Sequence, residues 1–200
     1  EQWVRAVQAT LDRCEHLAMV DAIVLSGNGP TVIPVAVDGT PLADALLWLD
    51  RRENRLPDQP SFFLPKVDWF RSHEPSTYER TSQFMTCPEY LGFLMTGVSH
   101  STSPSPAFDR YVWDEAGIDA YGLDPAKLPE IVRPADVVGT VGSRGHELFG
   151  LPRGIDVYAG GPDFLMSLLG TATVAPGATC DRAGTSEGIN HCCSHPTESP

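Results

Sequence analysis

Cations are scarce in this chain. Its 200 residues hold 14 Lys and Arg against 26 Asp and Glu, a formal charge of −12 at pH 7. Phosphate backbones and anionic membranes are gripped by clustered basic side chains, and the few here are scattered. A nucleic-acid or membrane partner is therefore not expected, and a small polar substrate is. Long apolar runs are also missing. No stretch approaches the roughly 20 residues of a membrane span, and the N-terminal segment is amphipathic, unlike a secretory signal, so the expected location is cytoplasmic. Paired cysteines are absent too. Cys14, Cys87, Cys180, Cys192 and Cys193 are odd in number, dispersed and without a CxxC pair, so reduced thiols are expected. Cys192 and Cys193 lie beside His191 and His195, but adjacent cysteines chelate one tetrahedral ion poorly, and no metal site is expected. The chain opens without an initiator Met or a helix N-cap and ends in the polar tail HCCSHPTESP. The expectation is a fragment of something longer.

What is present is an ordinary globular balance, 42% hydrophobic and 20% charged. Trp3, Val4, Val7, Leu11, Cys14 and Leu17 recur at spacings of three and four, predicting an amphipathic helix over 2–18. DAIVLS (21–26) and TVIPVAVD (31–38) read as strands joined by a tight turn, a predicted hairpin with Pro34 at an edge or bulge. Helices are predicted over 61–72, 78–84, 88–96 (closed by Gly97), 114–121 and 144–149, with further strands over 136–141 and 155–159. The run SHSTSPSP (99–106) reads as a loop. Strands alternating with helices make the class α/β.

The chemistry concentrates between Ile155 and Asn190. A short strand leads into Gly160-Gly161-Pro162, read as a tight turn, and Asp163 then opens an apolar run, Phe164 to Leu169, read as a core helix. Further on, Gly184-Thr185-Ser186 forms a glycine-hydroxyl loop able to aim backbone N–H groups at an anion. A carboxylate beside an anion-binding loop suggests phosphoryl transfer. Plainer readings stand beside this one. Asp163 could be a helix N-cap, Gly184 to Ser186 an ordinary turn, and the charged triplet Asp50-Arg51-Arg52 a solvated loop.

Taken in order, LSGNGP before a strand, LLWLDRR, FFLPK, the AGGPD junction and DRAGTSEGIN resemble the FGGY carbohydrate kinases over about Val20 to Asn190. The resemblance implies an actin-like, ribonuclease H-like α/β domain, here incomplete, with a mixed sheet and flanking helices. Residues 1–175 then match most of the sugar-binding, catalytic-base domain, and 176–200 the hinge and the start of the ATP-binding domain. Asp163 matches the family's general base, and Gly184, Thr185 and Ser186 its ATP-phosphate loop. Trp48, Asp50 and Arg52 match a Trp-x-Asp-x-Arg segment near the sugar pocket, and Asn28 falls in the turn that holds substrate. Implied partners are a small sugar or polyol and ATP with Mg2+, and a homodimer is one arrangement open to the full-length protein. Gly29-Pro30 stands where better-known members carry polar side chains, which favours an alternative: a non-catalytic sugar-binding or regulatory member. A degenerate product without a stable fold is a third.

Overall fold

The computed structural model describes residues 1–27, 29–183 and 187–195. Along the chain run α1 (Gln2–Leu11), β1 (Ala22–Gly27), β2 (Ile33–Val35), α2 (Leu64–His73), α3 (Pro75–Arg80) and β3 (Gln83–Met85). Then come α4 (Cys87–Thr96), β4 (Ser101–Thr102), α5 (Asp109–Val112), α6 (Glu115–Tyr121), β5 (Ile131–Val132) and β6 (Val137–Thr140). The last elements are α7 (Ser143–Phe149), β7 (Asp156–Pro162), α8 (Asp163–Gly170), β8 (Thr179–Ala183) and β9 (Glu187–His191).

The main sheet is mixed, in the order β1-β7-β6, with β1 parallel and β6 antiparallel to β7. The hairpin expected between β1 and β2 does not form. Instead β2 pairs antiparallel with β3, Pro34 opposite Phe84. Burial explains the difference. All of β2 is buried, whereas β1 alternates exposed with half-buried positions. A segment that needs cover on both faces cannot lie at the open edge of that sheet, so β2 runs between two cores, with Ile33 and Val35 in one and Val32 in the other.

The first core joins Val157, Ala159 and Val138 of the sheet to Leu94 and Met95 of α4 and to Phe149 of α7. Trp3, Val4, Val7 and Leu11 of α1 pack onto it, and α1 stops at Leu11, short of the expected residue 18. Leu17 returns to the same core from a separate 3-10 turn, Leu17–Met19. The second core gathers Leu46, Leu64, Val67, Phe70, Phe84 and Trp113.

Helix α4 is closed at both ends by its own sequence. Thr86 and Glu89 form a reciprocal capping box, and Gly97 at φ 78° supplies the left-handed C-cap that a side chain would resist. The helix predicted over 78–84 is split. Thr81 turns extended and the Ser82 N–H donates to the Val35 carbonyl, so Phe84 falls in β3. The predicted loop 99–106 contains β4, which pairs in parallel with β5. No helix among the described residues is long and apolar enough to cross a membrane.

Candidate active site

The site begins with the way β7 leaves the sheet. Leu25 of β1 lies opposite Ala159, and Gly27 opposite Pro162, so Ser26 faces both Gly160 and Gly161. That is a β-bulge, and Gly160-Gly161-Pro162 continue the strand where the sequence suggested a tight turn. A Cβ built on Gly160 would overlap the Leu25 carbonyl, and one on Gly161 would press on Met166 Cε at 2.7 Å. Close approach of backbone, not an unusual φ, is what requires glycine at Gly160, whereas at Gly161 the flexible end of Met166 could give way. The Ser26 hydroxyl donates to the Gly161 carbonyl at 2.8 Å and ties the bulge down. A bulge bends its strand and redirects the chain beyond it. Here it delivers Asp163 to the carboxyl end of a parallel strand pair, the place where open α/β sheets bind ligands.

Asp163 is the first residue of α8, with Pro162 as N-cap, so it is not the cap itself. Its Oδ1 accepts the Phe164 N–H at 2.7 Å, and Oδ2 has no hydrogen-bond partner among the described residues. The carboxylate is exposed, at the positive end of the α8 dipole. The core helix expected here is instead a surface helix. None of its residues is buried and Leu169 is 59% exposed, and at the cleft the Phe164 ring lies 6.4 Å from that of Phe108.

Asp163 opens onto a cleft of about 460 Å³. Trp48, Phe62, Phe63 and Phe108 form its apolar walls, and Gly29 and Pro30 close the β1 side. Each wall is held from behind. The buried Ser61 hydroxyl donates to the Val112 carbonyl at 2.5 Å and accepts the N–H groups of Phe63 and Leu64, fixing Phe62 and Phe63 at the start of α2. Lys66, only 1% exposed, donates its Nζ to the Asp50 carbonyl at 2.8 Å and lies 3.5 Å from Glu53, anchoring the segment that displays Trp48.

Asp50 and Arg52, further along that segment, are bound to each other. The Arg52 guanidinium donates to Asp50 Oδ2 at 2.7 Å and lies 5.2 Å above the Trp69 ring. Its hydrogen bond holds the Asp50 carboxyl below the usual carboxylate range. Of the Trp-x-Asp-x-Arg segment, Trp48 alone lines the Asp163 cleft. Asn28, Gly184, Thr185 and Ser186 lie outside the described residues.

The apolar walls Phe62, Phe63 and Phe108 and one charged cleft residue were not anticipated from sequence. Arg182 of β8 places its guanidinium 5.8 Å from the Phe164 ring centroid, and its buried Nε has no partner among the described residues. Its place two residues ahead of the glycine-hydroxyl loop was the signal available. Among the described residues no group of three or more His, Cys, Asp or Glu could hold a metal ion.

The model of the FGGY family of carbohydrate kinases, N-terminal domain, matches residues 51–170, more than half the chain. The chain belongs to this family. Among its FGGY relatives, the xylulose kinase of Streptomyces coelicolor is 31% identical over 92% of this chain and 44% of its own length. The xylulose kinase of Bacillus subtilis is 27% identical over 93% of this chain and 43% of its own length. The crystal structure of a xylulose kinase from Rhodospirillum rubrum superposes with a TM-score of 0.80 at 20% identity, covering 94% of this chain and 45% of that one. The fold is thus the actin-like α/β fold of the FGGY kinases. The chain spans less than half the length of these relatives.

Proposed function

We propose that this chain is the sugar-side portion of an ATP-dependent carbohydrate kinase that moves the γ-phosphoryl group of ATP to a hydroxyl of a small sugar or polyol. Residues 1–175 form most of the sugar-binding, catalytic-base domain on this reading, and 176–200 the hinge and the start of the ATP-binding domain. The observation that carries it is Asp163, whose Oδ2 has no hydrogen-bond partner among the described residues, at the carboxyl end of β7 in an aromatic-walled cleft.

Asp163 accepts the proton of the substrate hydroxyl as that oxygen attacks phosphorus. Phosphoryl transfer asks mainly for positioning and charge stabilisation, so one carboxylate within hydrogen-bond reach of the hydroxyl suffices as base. Trp48 and Phe63 confine the sugar, and the Asp50–Arg52 pair, which does not line the cleft, steadies the segment that carries Trp48. Arg182, a cation that lines the cleft, suits an anionic phosphoryl group better than a neutral ligand. Gly184, Thr185 and Ser186 complete the phosphate contact. When bound, ATP supplies the phosphoryl group and Mg2+ neutralises its charge. Mg2+ takes only one or two carboxylates beside phosphate oxygens and water, which fits a site with no protein cage among its described residues.

The test is ADP release by the full-length protein across a panel of ketoses, polyols and aldonates. Sugar-dependent ADP release supports the reading. A second reading, a non-catalytic sugar-binding or regulatory member, is favoured by Gly29 and Pro30, which bring no side-chain donor to the cleft. Calorimetric sugar binding without ADP release with any sugar would select it.

A further inference from the structure

Behind the Asp163 cleft lies a recess of about 60 Å³ between the ends of β1 and β7, the first turn of α4 and the start of β4. Gly29, Phe63, Thr102 and Pro162 line both spaces, so the recess opens off the cleft. It has room for a hydroxymethyl group but not for a whole sugar, since one water needs roughly 10–15 Å³ on this measure.

Two buried titratable side chains line it, and they differ in what they have left to give. Glu89 is satisfied. Its Oε1 accepts the Ser101 hydroxyl at 3.0 Å and the Thr102 N–H at 2.7 Å, and its Oε2 accepts the Thr86 N–H at 3.1 Å. His100, 5% exposed, is not: its Nδ1 is buried without a hydrogen-bond partner among the described residues. Burial lowers the proton affinity of its ring, and the Val98 carbonyl offsets this only in part. Buried polar atoms in folded proteins are nearly always paired, so an unpaired ring nitrogen beside a space that opens onto a substrate cleft points to a ligand group. A neutral imidazole can either donate to a hydroxyl or accept from it. Neither Lys nor Arg lines the recess, so a carboxylate finds no counter-ion there and would lie beside Glu89.

We infer that the recess takes the non-reacting, neutral hydroxymethyl end of the substrate, with His100 as the hydrogen-bond partner of its hydroxyl and Thr102 at the mouth. The inference rests on the kinase reading and narrows its substrate class. Ketoses and polyols fit, and aldonates do not.

The experiment measures affinity by calorimetry and turnover by ADP release, on the full-length protein, with D-xylulose, its 1-deoxy and 5-deoxy analogues and D-xylonate. One deoxy analogue should lose turnover because it lacks the reacting hydroxyl. The other should lose affinity by at least about tenfold, in keeping with sites that reject an analogue lacking a bonded hydroxyl. His100→Phe should bring that affinity ratio close to one, and His100→Gln should keep part of it. D-xylonate should bind at least about tenfold more weakly than D-xylulose. Equal affinity of the wild type for all three neutral ligands overturns the inference even if no variant folds, as does an undiminished ratio in a folded His100→Phe. Binding with the predicted ratio but no turnover sinks the kinase reading and leaves the recess assigned. Turnover without the ratio does the reverse, and absence of both overturns both.

Discussion

The backbone of Gly160 passes so close to the Leu25 carbonyl that no Cβ fits between them. That contact joins the two parallel strands just before the chain turns into Asp163. Gly160→Ala must push β7 away from β1 at the bulge. The expected cost is roughly 1–3 kcal/mol, the range for overpacking a closed interior. For roughly 150–250 residues each kcal/mol corresponds to a Tm change of about 2–4 °C, and for a longer cooperative unit to less. Thermal unfolding of the full-length variant should show that fall, together with a loss of activity larger than the stability change explains.

Lys66 is buried with its Nζ on the Asp50 carbonyl and near Glu53. Lys66→Met keeps the bulk of the stem but removes the donor. Leaving those acceptors without it should destabilise the protein by roughly 1–3 kcal/mol, read from urea unfolding. Because the segment carries Trp48, the apparent KM for sugar should rise as well.

His100 gives a pH signature with a definite sign. Its folded-state pKa is lowered from 6.5, first by burial, so the native ring takes up protons less readily than the unfolded one. Stability is therefore full above about pH 6.5 and is lost as pH falls below it, where only the unfolded state binds the proton. Unfolding free energies measured over roughly one pH unit either side of the ordinary His titration should show this decline, and His100→Gln should flatten that part of it.

Arg182 and Asp163 line the same cleft, and the buried Arg182 Nε has no hydrogen-bond partner among the described residues. If it stabilises the transferring phosphoryl group, Arg182→Ala should lower kcat by roughly 100-fold with sugar affinity unchanged, the size seen when one donor to developing charge is removed. Arg182→Lys should recover only part, because an ammonium does not reproduce the guanidinium fork. Steady-state kinetics with saturating sugar separates the two outcomes.

The elements with strong local punctuation were legible in the sequence. Pro65 in the first turn of α2, the Gly97 stop of α4 and the Asp114 cap of α6 all sit where their chemistry requires. Strand pairing was not legible. The spacing of β1 and β2 suggested a hairpin, but pairing was decided by which strand needed two covered faces, a property of the assembled cores. Gly160-Gly161 read as a turn because glycine marks both turns and close approaches, and only the neighbouring strand tells them apart. At the site, Asp163 was found through the motif around it. Arg182 and His100 were not: the one pointer to Arg182 was its place two residues ahead of the glycine-hydroxyl loop, His100 had none, and their unmet nitrogens exist only once the chain is folded.

The kinase reading stands or falls with the Asp163 carboxylate as the base. The most direct measurement is kcat for sugar-dependent ADP release by the full-length protein carrying Asp163→Asn, with calorimetric sugar affinity measured alongside. The predicted result is a fall in kcat of roughly 10²–10⁴-fold, the usual worth of a positioned general base, with sugar affinity within about threefold of wild type. A folded Asp163→Asn protein that turns over sugar at the wild-type rate would contradict it.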